Sequence, residues 1–382
     1  MVPLAILEHD YPSIEDLRRR AKRRIPHFAW EYLDSGTGEE TALDRNRQTL
    51  DAITFAPRAL RGRVAANLET SFLGRDYSCP IGIAPVGATG MMWPGTEIDL
   101  ARFAKKERVP YGLSTVATRT PDEIGPISGD YGWFQLYPLG GDGVQEDILK
   151  RAQNAGYKTL ILTVDVPINS RRERQRRAGF NMPVKMTPSM IYQMMTRPSW
   201  LMGIAKHGQP RFRLMEDYVD SRTVADVAKR LGAEMRPNPD WSVIDDLRQV
   251  WDGQIFLKGI CNVEDAVQAR DAGIDAVWVS NHGGRQLDAA PGAITVLPKI
   301  REAVGPQFPL IYDSGVRSGL DVARALALGA DFVMAGRAFL YGAGAFGPRG
   351  IELALKILKD DLANVMAQVG TNEVAGLRDA LN

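Results

Sequence analysis

One local pattern recurs along the chain: a helix that ends at a glycine, a short turn, and an uninterrupted apolar run. Three copies are similar, with Gly156 before 159–164, Gly273 before 276–280 and Gly329 before 332–336. A glycine just past the last turn is a common helix end. Continuous apolarity predicts a strand covered on both faces, and hence a parallel strand flanked by helices.

Eight such strands can be placed in order, at 80–85, 110–114, 131–136, 159–164, 254–258, 276–280, 308–313 and 332–336. Eight parallel strands separated by helices predict an α/β fold, the (β/α)8 TIM barrel. The alternative is a doubly wound open sheet, but no G-x-G-x-x-G turn follows any of these strands.

The length of 382 residues suits one barrel domain. We expect an N-terminal helical cap over 1–79 with helices at 13–24 and 26–33, the barrel over 80–345, and C-terminal helices over 346–382. The connection after the fourth strand is long for a simple loop. The segment 174–250 is therefore predicted to be a lid or a binding excursion.

Composition narrows the possible partners and compartments. An apolar fraction of 45% and a net charge of +1 are typical of a globular protein with no affinity for nucleic acid. Cys79 and Cys261 cannot form a disulfide framework, which indicates a reducing compartment. Acidic residues interrupt the N-terminus, unlike in a signal peptide, and no apolar run reaches the ~20 residues of a membrane span. We expect a cytoplasmic protein, or one on the cytoplasmic face of a membrane.

Polar groups stand at nearly every predicted strand end, and in a barrel these ends share one rim. A histidine, His282, and an arginine, Arg285, follow the sixth strand, which is the pattern of a general base beside an anion clamp. Glycines and arginines after the seventh and eighth strands predict a phosphate site. Lys258, at the end of an apolar strand, needs an anionic partner. It is either a Schiff-base nucleophile, a fixed charge beside a cofactor, or part of a structural ion pair.

Several motifs together resemble the FMN-dependent 2-hydroxy acid dehydrogenase/oxidase family, which includes glycolate oxidase, flavin L-lactate dehydrogenase and (S)-mandelate dehydrogenase. They are Ser-Asn-His-Gly-Gly-Arg-Gln-Leu-Asp at 280–288, Phe-Gln-Leu-Tyr at 134–137, Leu-Thr-Val-Asp at 162–165, Leu-Lys-Gly at 257–259 and Asp-Ser-Gly-Val-Arg at 313–317. The similarity runs in order from about Tyr32 to Gly342, with a poorly matched interval over 176–240.

The resemblance implies a role for each motif residue. His282 would be the active-site base with Asp165 as its partner, Arg285 and Arg172 would hold the substrate carboxylate, and Tyr137 and Tyr32 would hydrogen-bond the substrate. FMN is the implied cofactor, and no metal ion is implied. Its ring would be contacted by Pro85, Val86, Gly87, Ser114, Gln135, Thr163, Lys258 and Ser280, and its phosphate by Asp313, Ser314, Gly315, Val316, Arg317, Gly336 and Arg337.

The electron acceptor and the substrate are indicated only by finer features. Gly87 stands where several similar oxidases have alanine, which favours a dehydrogenase that passes electrons to a quinone or another carrier. Gly87 and the Trp-Pro-Gly stretch at 93–95 favour a mandelate- or lactate-like acid. Three alternatives remain: an oxygen-using oxidase that produces hydrogen peroxide, a non-catalytic barrel that binds FMN or a phosphate, and an aldolase with Lys258 as nucleophile.

The segment 182–207 is rich in methionine and carries basic residues. Met182, Met186, Met190 and Met194 recur every four residues, and Trp200 follows them. Such a stripe predicts either lid or core packing or a peripheral membrane contact, the place where mandelate-dehydrogenase-like proteins carry a membrane-binding segment. A homotetramer is expected by analogy with the family.

Overall fold

Eight parallel strands form a closed barrel in this computed structural model, which describes residues 3–140, 143–180, 186–219, 226–227, 230 and 239–381. The predicted TIM barrel is therefore confirmed. A short hairpin of β1 (Thr70–Phe72) and β2 (Arg75–Tyr77) precedes the barrel. The barrel strands are β3 (Ile81–Ile83), β4 (Tyr111–Ser114), β5 (Gly132–Leu136), β6 (Thr159–Thr163), β7 (Gln254–Ile260), β8 (Ala276–Val279), β9 (Leu310–Tyr312) and β10 (Phe332–Ala335). The barrel closes where β10 pairs with β3.

The strands are buried on both faces, as their continuous apolarity predicts. Every residue of β6 is buried, and so is every residue of β8. The parallel register sets Thr163 beside Lys258 and Ser114 beside Gln135 at the carboxyl ends. Side chains that are far apart in sequence thereby become neighbours on one rim of the barrel.

Helices surround the barrel. They are α5 (Thr89–Met92), α6 (Thr96–Glu107), α7 (Pro121–Ser128), α8 (Val144–Asn154), α14 (Val263–Asp271), α15 (Ala293–Val304), α16 (Gly319–Ala327), α17 (Arg337–Phe346) and α18 (Pro348–Val369). Side-chain caps begin several of them: Asn262 accepts from the Asp265 amide, and Ser318 and Asp321 form a reciprocal capping box.

The N-terminal cap consists of helices α1 (Leu4–Asp10), α2 (Ile14–Arg24), α3 (His27–Asp34) and α4 (Thr41–Asp51), followed by the hairpin β1 (Thr70–Phe72) and β2 (Arg75–Tyr77). The hairpin lies at the opposite end of the barrel from the polar rim. Phe72 and Tyr77 pack there against Phe332, with ring centroids 5.5 and 5.2 Å away. Aromatic packing closes this end of the barrel, so the chemistry is confined to the other end.

The excursion between β6 and β7 contains α9 (Glu173–Arg177), α10 (Pro188–Met195), α11 (Pro198–His207), α12 (Arg213–Glu216) and α13 (Ser242–Val250). The described methionines among those that recur every four residues do not share one environment. Met190 is buried, Met194 is half-buried and Met186 is exposed, while Met182 lies outside the described residues. Trp200 is also buried and donates from Nε1 to the Met91 carbonyl, so it is not at a water interface. No described helix is long and apolar enough to cross a membrane.

One arginine joins the excursion to the cap. Arg174 in α9 contacts three carboxylates, with Nε 2.7 Å from Glu31, Nη2 3.1 Å from Asp34 and Nη1 2.9 Å from Glu40. Asp34 is almost fully buried and also accepts from Arg18. Burial would raise the pKa of Asp34, but the hydrogen bonds from these cations hold it below its ordinary value. The cap is thus fixed to the excursion by charge.

Replacement of Arg174 by methionine should lower the free energy of unfolding by about 2–3 kcal/mol, because three carboxylates lose a shared, mostly buried cation. Urea denaturation followed by circular dichroism measures this change. Arg176→Met, at an exposed position of the same helix, is the control and should be close to wild type. Equal stability of the two variants would contradict the structural role of Arg174.

Candidate active site

A histidine–aspartate pair stands at the carboxyl rim of the barrel. His282 follows β8 and Asp165 follows β6, and the His282 Nδ1 atom lies 2.9 Å from Asp165 Oδ1. The His282 backbone has a φ of 56°, and its amide donates to Ser280 Oγ at 3.0 Å. Strained backbone of this kind is kept where the surroundings define it, often at functional sites. Because Nδ1 is committed to Asp165, Nε2 is the nitrogen available to a substrate.

The charges of this pair are set by burial and by each other. Burial lowers the pKa of His282 below its ordinary value, although the attraction of Asp165 opposes this. Burial acts to raise the pKa of Asp165, but the attraction of His282 and Lys258 keeps it below its ordinary value. At neutral pH the pair is therefore a neutral imidazole beside a carboxylate, which is the state a general base requires.

Lys258 belongs to a buried chain of polar contacts beside this pair. Its Nζ atom donates to Ser280 Oγ at 3.0 Å and lies 3.3 Å from Asp313 Oδ2. Ser280 Oγ in turn donates to Asp313 Oδ1 at 2.5 Å. The ion pair partly neutralises Lys258 and fixes its position, as expected for a lysine that supplies a charge to a bound group.

Several buried polar atoms near this chain have no hydrogen-bond partner among the described residues. They include Gln135 Nε2 and Thr163 Oγ1, whereas Gln135 Oε1 accepts from Ser114 Oγ at 2.8 Å. Buried polar atoms are rarely left unpaired, so these two fit a ligand with acceptor and donor atoms at its edge. A flavin ring has such atoms on its pyrimidine half. The residues present therefore fit FMN.

The loop after β3 comes close to its neighbours at Gly87. A Cβ atom there would lie 2.6 Å from Val116 Cγ2 and 3.2 Å from the Tyr32 hydroxyl. The loop therefore takes a side chain larger than hydrogen only if Val116 moves. Pro85, Val86 and Gly87 line the same cavity as Lys258, as the sequence predicts for residues beside a flavin.

Two half-buried arginines face the cap. Arg285 Nη1 donates to the Tyr32 and Ser35 carbonyls at 2.7 and 2.8 Å. Arg337 donates to Gly283, Leu33 and Ser35 carbonyls at 2.8–3.0 Å. Among the described residues, neither guanidinium forms an ion pair with a carboxylate. Burial, with Arg172 and Arg337 nearby, lowers the pKa of Arg285. Guanidinium groups that are shielded from water and have no carboxylate partner attract anions strongly.

The rim brings most of the predicted site residues to one cavity. They are Tyr32, Pro85, Val86, Gly87, Tyr137, Arg172, Lys258, His282, Arg285, Asp313, Ser314, Gly315, Val316, Arg317, Gly336 and Arg337. The remaining predicted residues, Ser114, Gln135, Thr163, Asp165 and Ser280, are not among its lining residues, but Asp165 and Ser280 hydrogen-bond to His282 and Lys258, which are. Burial raises the pKa of Tyr137, aided by Asp165, so that its hydroxyl stays protonated.

The rim cavity is not the largest one. It measures about 120 Å³, against about 610 Å³ for a cavity beside the β1–β2 hairpin. Charged residues of the larger cavity pair with each other: Arg248 lies 2.8 Å from Asp275, and Arg75 3.4 Å from Asp130. The rim cavity is narrow while Arg285 and Arg337 contact the cap, and it holds the reactive groups. We therefore place the active site at the rim.

The sequence did not predict two side-chain partners that shape the rim. Asn281 exchanges hydrogen bonds with Asn46 of α4, at 2.9 and 2.7 Å. Asp288 accepts from the Glu39 and Ala42 amides at 3.0 and 2.9 Å, which caps α4. Asn281 and Asp288 lie within the 280–288 motif, but their partners are more than 230 residues away. No local pattern reveals such pairs.

Comparison with known sequences identifies the family. The family described as FMN-dependent dehydrogenase matches residues 21–382. The chain belongs to this family. The L-lactate dehydrogenase of Vibrio parahaemolyticus serotype O3:K6 is 37% identical over 369 residues, which is 96% of this chain and 97% of that protein. The L-lactate dehydrogenase of Pseudomonas aeruginosa is 37% identical over 361 residues, 94% of each chain. FMN is therefore the cofactor, as predicted.

Solved structures share the fold of this FMN-dependent dehydrogenase. A crystal structure of the monotopic membrane protein (S)-mandelate dehydrogenase superposes with a TM-score of 0.90 at 32% identity, covering 97% of this chain and 98% of that chain. A crystal structure of mandelate oxidase has a TM-score of 0.82 at 33% identity, with the same coverage. Both agree with the barrel described above.

At pH values below the pKa of His282, kcat/KM should fall about tenfold for each pH unit, because protonation removes the base. Burial holds this pKa below the ordinary 6.5, so the plateau should extend through neutral pH. In Asp165→Asn the opposing attraction is lost, so the acid limb should move to lower pH and the plateau should fall about 100-fold or more. Profiles of kcat/KM against pH measure both effects, with the exposed Asp44→Asn as control. An acid limb displaced to higher pH in Asp165→Asn would contradict this electrostatic account.

Proposed function

We propose that this protein oxidises an (S)-2-hydroxy acid of the mandelate or lactate type to the 2-oxo acid, with FMN as the first electron acceptor. The observation that carries the proposal is that the loop after β8 provides both a base and a cation. His282, paired at 2.9 Å with Asp165, lies three residues before the half-buried Arg285, which has no carboxylate partner among the described residues. A base beside an uncompensated guanidinium fits a substrate that carries a carboxylate next to the carbon to be oxidised.

The residues would act as follows. Arg285 and Arg172 bind the two oxygens of the substrate carboxylate, for which planar guanidinium groups are suited. Tyr137 and Tyr32 hydrogen-bond the substrate. His282 Nε2 takes the proton released as the alcohol becomes a carbonyl, and Asp165 orients the ring and stabilises the imidazolium. FMN, when bound, accepts the two electrons. The substrate loses two hydrogens and two electrons in all. One hydrogen leaves as the proton that His282 takes, and the second leaves with the electron pair, so the oxidation balances.

The remaining predicted residues would hold the cofactor. Lys258 supplies a positive charge beside the ring, and its ion pair with Asp313 at 3.3 Å keeps it in place. Gln135 and Thr163 offer unpaired buried atoms to the ring edge. The loops at 313–317 and 336–337 offer glycine amides and two arginines to the phosphate. Arg337 would then exchange its carbonyl contacts in the cap for the anion.

The electrons would pass from reduced FMN to a quinone or another carrier. Gly87 supports this, because several similar oxidases have alanine at this position. Here an alanine Cβ atom would press on Val116 and the Tyr32 hydroxyl, so the surroundings of Gly87 favour glycine. Relatives named mandelate oxidase and lactate oxidase, at 33% and 30% identity, favour an oxygen-using oxidase as the second candidate.

Anaerobic addition of L-lactate, glycolate or (S)-mandelate to the purified protein should bleach the flavin absorbance with at least one acid. The His282→Gln variant should keep its FMN, but its rate of flavin bleaching should be at least 100-fold lower, because the base is gone. Oxygen is then admitted to the reduced wild type. Slow reoxidation is expected for a dehydrogenase, whereas rapid reoxidation with hydrogen peroxide would establish the oxidase. Absence of bleaching with every acid would exclude the proposed reaction.

A peripheral membrane contact is a second proposal, supported by the exposed apolar side chains of α10 and α11. Tyr192, Met195 and Met202 are 66–69% exposed, and Lys206 is exposed nearby. A structural neighbour is named a monotopic membrane protein. Single exposed apolar residues are common on soluble proteins, but these three lie on two helices that contact each other, which favours a shared function. The cytoplasmic location and the homotetramer remain predictions.

Sedimentation with anionic phospholipid vesicles should retain wild type more than a variant in which Tyr192, Met195 and Met202 are replaced by serine. These side chains supply the apolar area that would enter the headgroup region. Replacement of Ile6 and Leu60, exposed apolar residues outside α10 and α11, by serine is the control and leaves the charge unchanged. Equal sedimentation of all three proteins would exclude the contact through α10 and α11.

A further inference from the structure

Gln286 lies one residue after Arg285 and bridges two loops of the rim. Its Oε1 atom accepts from Arg172 Nη2 at 3.1 Å and from Ser170 Oγ at 3.1 Å. Its Nε2 atom donates to the Asp165 backbone carbonyl at 3.2 Å. One side chain on the β8 loop therefore contacts both functional residues of the β6 loop.

The orientation of the Gln286 amide is fixed by its partners. A guanidinium can only donate and a backbone carbonyl can only accept, so the oxygen must face Arg172 and the nitrogen must face Asp165. The amide cannot turn over without losing both contacts.

Arg172 depends on these contacts for its position. Its backbone has a φ of 45°, its Nε atom donates to Ser170 Oγ at 3.0 Å, and Ser170 itself donates to Gln286. Among the described residues, Arg172 has no ion pair with a carboxylate. Arg174, two residues later, contacts three. The acceptors around Arg172 are thus neutral, and the charge of its guanidinium is left for a ligand.

We propose that Gln286 is a positioning residue of the hydroxy acid site, whose neutral amide oxygen orients the Arg172 guanidinium toward the substrate carboxylate without neutralising it. This inference rests on the proposed function. A carboxylate at position 286 would orient Arg172 equally well but would compete with the substrate for its charge. An apolar side chain would leave the charge but lose the orientation.

Three variants separate these effects. Gln286→Met removes the acceptor at similar size and should weaken binding of (S)-mandelate or L-lactate about tenfold, the range of one hydrogen bond to a charged group. Gln286→Glu should weaken it about 100-fold, because the new carboxylate pairs with Arg172. The control Leu287→Ala, at a neighbouring exposed position, should bind as wild type does.

The decisive measurement is a double-mutant cycle with Arg172→Met. Stopped-flow flavin reduction gives the substrate Kd and the limiting rate separately, and calorimetric titration with the 2-oxo acid product gives a Kd that needs no turnover. If Gln286 acts through Arg172, then Gln286→Met should cost less than twofold in binding in the Arg172→Met background. A merely structural role would give the same tenfold loss in both backgrounds.

Several outcomes would overturn the inference. Equal losses in the two backgrounds, binding unchanged in Gln286→Met, or Gln286→Glu binding as well as wild type would each do so. A wild type that binds the 2-oxo acid but is reduced by neither hydroxy acid would contradict the proposed reaction instead. In that case the calorimetric cycle still decides the role of Gln286.

Discussion

Closure of the barrel is the constraint on which the site depends. Eight parallel strands must pair around a full circle, and this brings all eight carboxyl ends to one rim whatever their separation in sequence. The register then decides which side chains are neighbours. Thr163 stands beside Lys258 because β6 pairs with β7 in that register. His282 reaches Asp165 across β7, since both project from the rim.

The rim carries more positive than negative side chains in its interior. Lys258 is balanced by Asp313, and the Asp165 carboxylate pairs with a neutral His282, but Arg172, Arg285 and Arg337 are held by neutral oxygens. Elsewhere the protein pairs arginines with carboxylates, as at Arg174 and at the buried Arg324. Leaving three guanidinium groups without a carboxylate costs stability. This cost in stability is expected at a binding site, because an anionic substrate or cofactor recovers it when it binds.

The sequence predicted the barrel and the residues at its strand ends because both depend on local signals, whereas Tyr32 and Arg172 were implied only by the family resemblance. Continuous apolar runs identify the strands, and the residues after them follow directly. It did not predict Gln286, whose partner Asp165 is 121 residues away, nor the pairing of Asn281 with Asn46 over 235 residues. The methionines spaced by four do not share one environment, because no single helix carries them. Helix α10 begins at Pro188, so Met186 precedes it and is exposed, whereas Met190 within it is buried.

The cap has a consequence for how the protein is made. Helix α2 packs against α17, Tyr341 donates to Asp34, and Asp288 caps α4. During synthesis the first fifty residues leave the ribosome long before any of these partners exist. The cap can therefore reach its final arrangement only when the chain is nearly complete. A chain cut before α17 would lack the partners of α2 and of Asp34, which lies in the same helix as Tyr32.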